Sequence, residues 1–481
     1  MTATDPALLR MAMGTLLAPF QGTEVPGWLR VALDSGLGGV CLFAINGNVT
    51  DTGQLATLSA TLRSDADPLV AIDEEGGDVT RLAHATGSPY PGNAALGVVD
   101  DTDLTRRVHR SLGAELATAG INLNLAPSGD VNSAVDNPII GTRSFGSDPA
   151  LVSRHTAAAV RGLQEAGVAA CVKHFPGHGA THQDSHHELP TVDIDRELLC
   201  SRELAPFRAA IDEGTKAVMT AHVRVPQLTG HEPATLSAAA IDGLLRHRLR
   251  YDGVVISDAL EMRAISETVG ITRGAVLSLA AGADLLCLGA VQGPEVIQDT
   301  ASAIVAAVQQ DALPVDRLEQ AGARLSRLRD WLAGAGRAEV DDSVGLAAAR
   351  RALRVTGSPA MARTPVVVEL QTPASVAAGE LPWGIADWLP GAKAVRVDPD
   401  HITPETLLPR LRDGSLVVAV RDAHRHPSAR RLIDGLVSAR PDTTVVEMGL
   451  PVWRPDCAAY LATHGAATVN AKAAAEYLTT S

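Results

Sequence analysis

Short apolar runs separated by longer amphipathic stretches recur from Gly14 to Gly289, and this alternation restricts the fold more than any other feature of the chain. The runs are Gly14–Pro19, Gly38–Ala44, Pro68–Asp73, Ile121–Ala126, Val168–Lys173, Ala217–Ala221, Gly253–Ser257 and Asp284–Gly289. Each is short, apolar and bounded by turn residues, so it reads as a strand buried on both faces. Helical patterns lie between several of them, including Leu104–Ala119, Ala150–Ala166, Arg196–Gly214, Ala238–Arg248 and Thr272–Ala281. Two more, Glu295–Gln310 and Val315–Ala333, finish the region. Eight strands with helices between them predict a (β/α)8 TIM-like barrel over residues 1–335.

The chain is long for one domain, and a second alternation begins at Thr364. Val366–Leu370, Ala394–Val397, Ser415–Val420, Thr444–Met448 and Ala467–Asn470 are strand-like. They predict a smaller C-terminal α/β domain, residues 364–481, built on a parallel sheet of about five strands. Residues 336–363 read as a helical linker. The C-terminal part contains neither a GxGxxG motif nor a P-loop.

Titratable residues gather just after the strand-like runs: Asp73, Lys173-His174, His222 and Asp258, with Ala126-Pro127 at the corresponding place after the fourth run. In a parallel barrel these ends meet on one face, where such folds keep their chemistry. The segment from Lys173 to Pro190 is the most polar of them, with His174, His178, His182, His186 and His187 beside Asp184 and Glu188. Pro176, Gly177 and Gly179 exclude a helix there. The four-residue spacing of His174, His178, His182 and His186 therefore makes no ligand stripe, and no metal is expected. Asp258, which ends the run Val254-Val255-Ile256-Ser257, has two readings on chemistry alone. It is either a helix N-cap or a carboxylate available for catalysis.

Four ordered strings then carry a resemblance. They are Asp73-Glu74-Glu75-Gly76-Gly77-Asp78-Val79-Thr80-Arg81, Asn137 to Gly146, Lys173-His174-Phe175-Pro176-Gly177-His178-Gly179 with Asp184-Ser185-His186-His187-Glu188-Leu189-Pro190, and Val254 to Met262. Together they resemble glycoside hydrolase family 3, in its β-N-acetylglucosaminidase branch of peptidoglycan-recycling type, over roughly residues 10 to 335. The resemblance implies an exo-acting, retaining enzyme that removes non-reducing terminal N-acetylglucosamine from peptidoglycan fragments or chitooligosaccharides. It makes Asp258 the nucleophile, which forms a glycosyl-enzyme. It makes His186 the general acid/base, held by Asp184. His187 is an adjacent spare, and the choice of His186 rests on the Asp-Ser-His register. An imidazole suits the role because it titrates near neutral pH, and a nearby carboxylate orients it. Asp73, Arg81, Arg143, Lys173 and His174 match positions that hold the terminal sugar. His178 is read as a brace for the loop, and His222 as part of the pocket floor. Two positions depart from the pattern, with Glu74 where relatives often have Gln and Asp78 where many have Arg. No cofactor is implied.

Two other functions remain open at this level. A phosphorylase is one, because a histidine acid/base does not repel an incoming phosphate as a glutamate would. A catalytically silent sugar sensor is the other. A net charge of -14 without a basic stripe excludes a nucleic-acid partner. No apolar run approaches the roughly 18 residues of a spanning helix, so no membrane partner is expected. The five cysteines are scattered and read as free thiols, and Met1–Arg10 lacks the pattern of a signal peptide. The expected location is cytoplasmic, and the expected partner is a small glycan.

Overall fold

The computed structural model describes residues 5–64, 67–185, 188–359, 361, 364–411 and 414–480. It divides into two compact units. One comprises Met1–Glu74, Thr105–Ala134 and Ser147–Val340, and the other Glu75–Leu104, Val135–Gly146 and Asp341–Ser481.

The first unit is the expected barrel. Its strands are β1 (Leu16–Ala18), β2 (Gly39–Leu42), β3 (Leu69–Ile72), β4 (Leu123–Asn124), β5 (Ala169–Phe175), β6 (Ala217–Thr220), β7 (Val254–Ile256) and β8 (Leu286–Cys287). Successive strands from β1 to β7 pair in parallel, and β1 also pairs with β8. A parallel bridge between Ile256 and Leu285 joins β7 to the residue before β8 and closes the ring. Every residue of these strands is buried, which is why they appear as unbroken apolar runs rather than as an alternation. The core cluster joining these strands mixes small side chains, among them Cys41, Ala71, Ala169, Cys171, Ala217 and Cys287, with larger aliphatic ones such as Leu17, Leu69, Leu123, Met219 and Ile256.

Closure has its own anchor. Asp284 is fully buried and accepts from the backbone N–H of Val255 at 2.9 Å, from Arg246 at 2.5 Å and from Arg317. A carboxylate so placed ties β7 to the chain entering β8, and its charge is met by several guanidinium groups. Two of the outer helices begin at an aspartate cap, Asp51 and Asp148. Asp148 accepts from the backbone N–H of Ala150 ahead of the helix Pro149–Glu165, with proline in its first turn.

The second unit carries a six-stranded sheet: β9 (Arg354–Gly357), β10 (Val366–Leu370), β11 (Lys393–Val397), β12 (Leu416–Val420), β13 (Thr444–Glu447) and β14 (Ala459–Ala462). Their order across the sheet is β11-β10-β12-β13-β14-β9. Five strands are parallel, and β9 runs antiparallel on β14. The sheet is therefore mixed, which corrects the expectation of a purely parallel one. A second correction concerns Ala467–Asn470. Residues from Thr468 onward form the helix Thr468–Thr480, and the fifth parallel strand is Ala459–Ala462. The run of alanines after Asn470 outweighs the local β preference of Thr468 and Val469. No helix among the described residues is long and apolar enough to cross a membrane.

Candidate active site

Parallel pairing puts the C-terminal ends of all eight barrel strands on one face, and chain position then decides which side chains meet there. Asp73 directly follows β3, Asp130 lies on the loop after β4, Lys173 and His174 end β5, His222 follows β6, and Asp258 follows β7. The charges of Lys173, Asp73 and Asp258 all act on the fully buried Cys171 thiol. The three groups therefore surround the same end of the barrel core. Burial, the largest influence, raises that thiol well above its ordinary value, so it is a packing group rather than a nucleophile.

Lys173 is almost wholly buried and reaches the half-buried Asp73 with Nζ 2.5 Å from Oδ1. An ion pair at a barrel mouth with one partner partly exposed is suited to polyhydroxylated ligands, because both members can also bond hydroxyl groups. Asp258 begins the segment after β7, and its Oδ1 accepts from the backbone N–H of Ala259 at 2.8 Å. It does not cap a regular helix, because the next one starts only at Arg263. Beside it, His222 Nε2 lies 2.9 Å from the carbonyl of Ala259 and its Nδ1 2.8 Å from Thr235 Oγ1. Bracing the Asp258-Ala259 backbone is thus the work of His222, which is itself fully buried.

Asp130 organises the histidine loop, and it was not among the residues expected from the sequence. Its carboxylate is completely buried. Oδ2 lies 2.7 Å from His174 Nδ1 and accepts from Ser128 Oγ at 3.0 Å. Oδ1 accepts from the backbone N–H of His178 at 2.7 Å and of His174 at 3.3 Å. Burial alone would raise its pKa, but the charge and hydrogen bond of His174, with the backbone N–H of His178, hold it at about 2. The bond to Nδ1 also fixes the tautomer and plane of the His174 ring. The only signal in the sequence was a carboxylate a few residues beyond the fourth apolar run.

His178 braces the loop, as expected. Its Nδ1 is 2.8 Å from Thr181 Oγ1 and its Nε2 2.9 Å from Ser185 Oγ. Burial first, and the neighbouring His174 charge second, push its pKa down to about 4, so it is a neutral structural histidine. Ser185 belongs to the Asp184-Ser185-His186 string, so His178 holds the described part of that string. Asp184 is half-buried, and His186 lies outside the described residues. The glycines of the loop have a packing reason. A Cβ on Gly179 would fall 1.8 Å from the carbonyl oxygen of Val131, on the β4 loop that holds Asp130. Gly177, at φ +128°, rests on Glu203, where a Cβ would meet Oε2 at 2.7 Å. The peptide bonds Lys173–His174 and Phe175–Pro176 are cis.

Glu203, on the π-helical turn Leu199–Glu203, is buried behind this loop. Arg202 donates to its Oε1 at 2.6 Å, and Oε2 has no hydrogen-bond partner among the described residues. Burial raises its pKa to about 7 despite Arg202. The folded state therefore keeps a proton that the unfolded chain releases, and this contribution is lost as pH rises from about 4.5 through 7. Glu203→Gln, which stays neutral, is expected to gain about 2–3 kcal/mol over the wild type between pH 5 and pH 8. Denaturant melts at both pH values measure it, and an equal difference at the two would contradict the assignment.

Arg143 and Arg81 belong to the second unit. Arg143 is buried there and forms a two-point pair with Glu75, through Nε at 2.9 Å and Nη2 at 2.7 Å. Arg81 donates to the carbonyl of Ala377 at 2.9 Å. Asp78, one of the departures noted above, accepts from Thr142 Oγ1 at 2.6 Å and from the Ala466 N–H at 2.8 Å. Glu74, the other, is clamped through its backbone by Asn124. Among the described residues no group of three or more His, Cys, Asp or Glu side chains is arranged to hold a metal ion.

The pattern of the glycosyl hydrolase family 3 N terminal domain matches residues 28–328. Beta-hexosaminidase A of Pseudoalteromonas piscicida is 35% identical over 327 residues, 62% of this chain and 54% of that protein. Beta-hexosaminidase LpqI of Mycobacterium tuberculosis is 37% identical over 276 residues, 56% of this chain and 69% of that protein. The match thus spans about half the length of the first relative and about two thirds of the second. A structure of a glycoside hydrolase family 3 beta-N-acetylglucosaminidase from Paenibacillus sp. superposes with a TM-score of 0.88 at 34% identity, covering 98% of this chain and 96% of that one.

Proposed function

Because this chain belongs to glycosyl hydrolase family 3, we propose that it is an exo-acting, retaining β-N-acetylglucosaminidase. The observation that carries the reading is the cluster at the barrel mouth. Asp258 leaves β7 beside the Lys173–Asp73 pair, and His174 is held by Asp130. Relatives named beta-hexosaminidase and the Paenibacillus structure support the same reading.

In this mechanism Asp73, Lys173 and His174 bind hydroxyl groups of the terminal sugar and place its anomeric carbon against Asp258. The carboxylate attacks from the α face while the dyad His186–Asp184 protonates the leaving oxygen. The imidazole then takes a proton from water, which displaces Asp258 and restores the β configuration. Water must reach the intermediate only after the aglycone leaves, and a short loop can control that step. The barrel residues make the sugar contacts, while Arg81 and Arg143 keep their bonds to Ala377 and Glu75. The substrate is drawn from peptidoglycan fragments or chitooligosaccharides, and the reaction takes place in the cytoplasm. The unpaired thiols of Cys41, Cys171 and Cys287 are in keeping with a reducing compartment.

The test is turnover of p-nitrophenyl β-N-acetylglucosaminide in phosphate-free buffer and again in phosphate, with the sugar product identified. Free N-acetylglucosamine of β configuration in both is expected. Sugar 1-phosphate in the second buffer would make phosphate the acceptor, and no turnover in either would overturn the reading.

A further inference from the structure

The second unit contains a cleft that the proposed reaction does not use. Its sheet order β11-β10-β12-β13-β14 places the second parallel strand on one side of the first and the third on the other. The chain reverses its direction of growth between β10 and β12. In open parallel sheets ligands bind outside the carboxyl ends of the strands at such a switch point. A cavity of about 720 Å³ lies there, lined by Gln371 and Thr372 beyond β10, Asp398 beyond β11 and Arg421 beyond β12. Its size falls in the range of roughly 300–1,000 Å³ that small-ligand sites occupy.

Two tryptophans stand in its wall. Trp388 is 41% exposed, with Lys472 Nζ 4.3 Å from its ring centroid. Trp383 packs partly against the sheet, with the Arg421 guanidinium 4.7 Å from its ring. Large exposed aromatics are costly to leave in water, and cations on one face rigidify them as platforms. Around them, Gln371, Glu380 and Asp400 make no side-chain hydrogen bond among the described residues. The cleft is net acidic. Glu380, Asp387, Asp398 and Asp400 face two guanidinium groups, and Arg396 is committed to Glu369 at 2.8 Å. That balance repels phosphates and carboxylates. It suits a neutral ring with an apolar C–H face and a rim of hydroxyls, which donate to carboxylates and to an amide.

We propose that this cleft binds a neutral pyranose oligosaccharide, as a site additional to the catalytic one. The inference stands whether or not the barrel catalyses the reaction assigned above. It is tested on the full chain carrying Asp258→Ala, titrated calorimetrically with chitobiose and with cellobiose. At least one neutral disaccharide is expected to bind in the second unit, giving an event that Trp388→Ala and, independently, Gln371→Ala weaken tenfold or more. Trp388→Ala on the wild-type background is expected to keep kcat/KM on the aryl glycoside and its melting temperature. The proposal is overturned if neither disaccharide gives an event sensitive to these two substitutions. It is equally overturned if a carboxylated disaccharide binds the cleft more tightly than the neutral ones. Loss of turnover without loss of the cleft event would sink only the catalytic reading.

Discussion

Asp258→Ala is expected to lower kcat/KM on an aryl N-acetylglucosaminide by about 10⁴-fold or more while leaving the melting temperature close to that of the wild type. The size follows from the role. Without the carboxylate, the bond to the leaving group must break with no nucleophile in place, and the dyad alone cannot supply one. The small effect on stability follows from its surroundings, since Asp258 is not fully buried and its Oδ1 accepts from the N–H of the adjacent Ala259. The variant also leaves a space on the α face of the sugar. Sodium azide is expected to enter it, restore part of the rate on an activated substrate and yield the α-glycosyl azide. Unchanged activity, or a β-azide, would remove Asp258 from the reaction.

The second large effect is expected at Asp130. Asp130→Ala removes the partner of the His174 ring and of two backbone N–H groups at once, in a place without exposure to solvent. Breaking a buried pair on one side costs about 3–5 kcal/mol. Activity should fall as well, by about 10²-fold, because His174 and the glycine loop lose their register with Lys173 and Asp258. Asp130→Asn keeps the shape and one acceptor, and should lie between the two. The pH dependence separates a charge effect from a packing effect. Asp130 has a folded pKa of about 2, below that of the unfolded chain. Its stabilisation is therefore complete above about pH 4 and lost as pH falls from there towards 2. The wild type should lose stability over that window, and Asp130→Asn should show a shallower loss. Identical acid profiles would mean that the carboxylate acts by shape alone.

Most of the barrel was legible because each of its strands is buried on both faces and so shows as an uninterrupted apolar run. The residues at the mouth were legible for a related reason. A charged residue directly after such a run, as at Asp73, Lys173 and Asp258, is placed by the parallel topology itself. Asp130 escaped notice because it sits on a loop with no pattern of its own, and only three-dimensional packing brings it to His174. Glu203 escaped for the opposite reason. It lies in a stretch that reads in the sequence as a helix without interruption, and nothing local marks that its carboxyl is buried. The strand Arg354–Gly357 left no trace because it is an edge strand with mostly exposed side chains. Ala467–Asn470 misled because a short β-branched run was read without the alanines that follow it.

The most direct measurement is mass spectrometry of the enzyme after incubation with a 5-fluoro-N-acetylglucosaminyl fluoride. Such a substrate forms the glycosyl-enzyme faster than water releases it. The account predicts one glycosyl unit per chain, on the peptide that contains Asp258 and lost in Asp258→Ala. An adduct on any other residue, or turnover of this compound with no adduct at all, would contradict it.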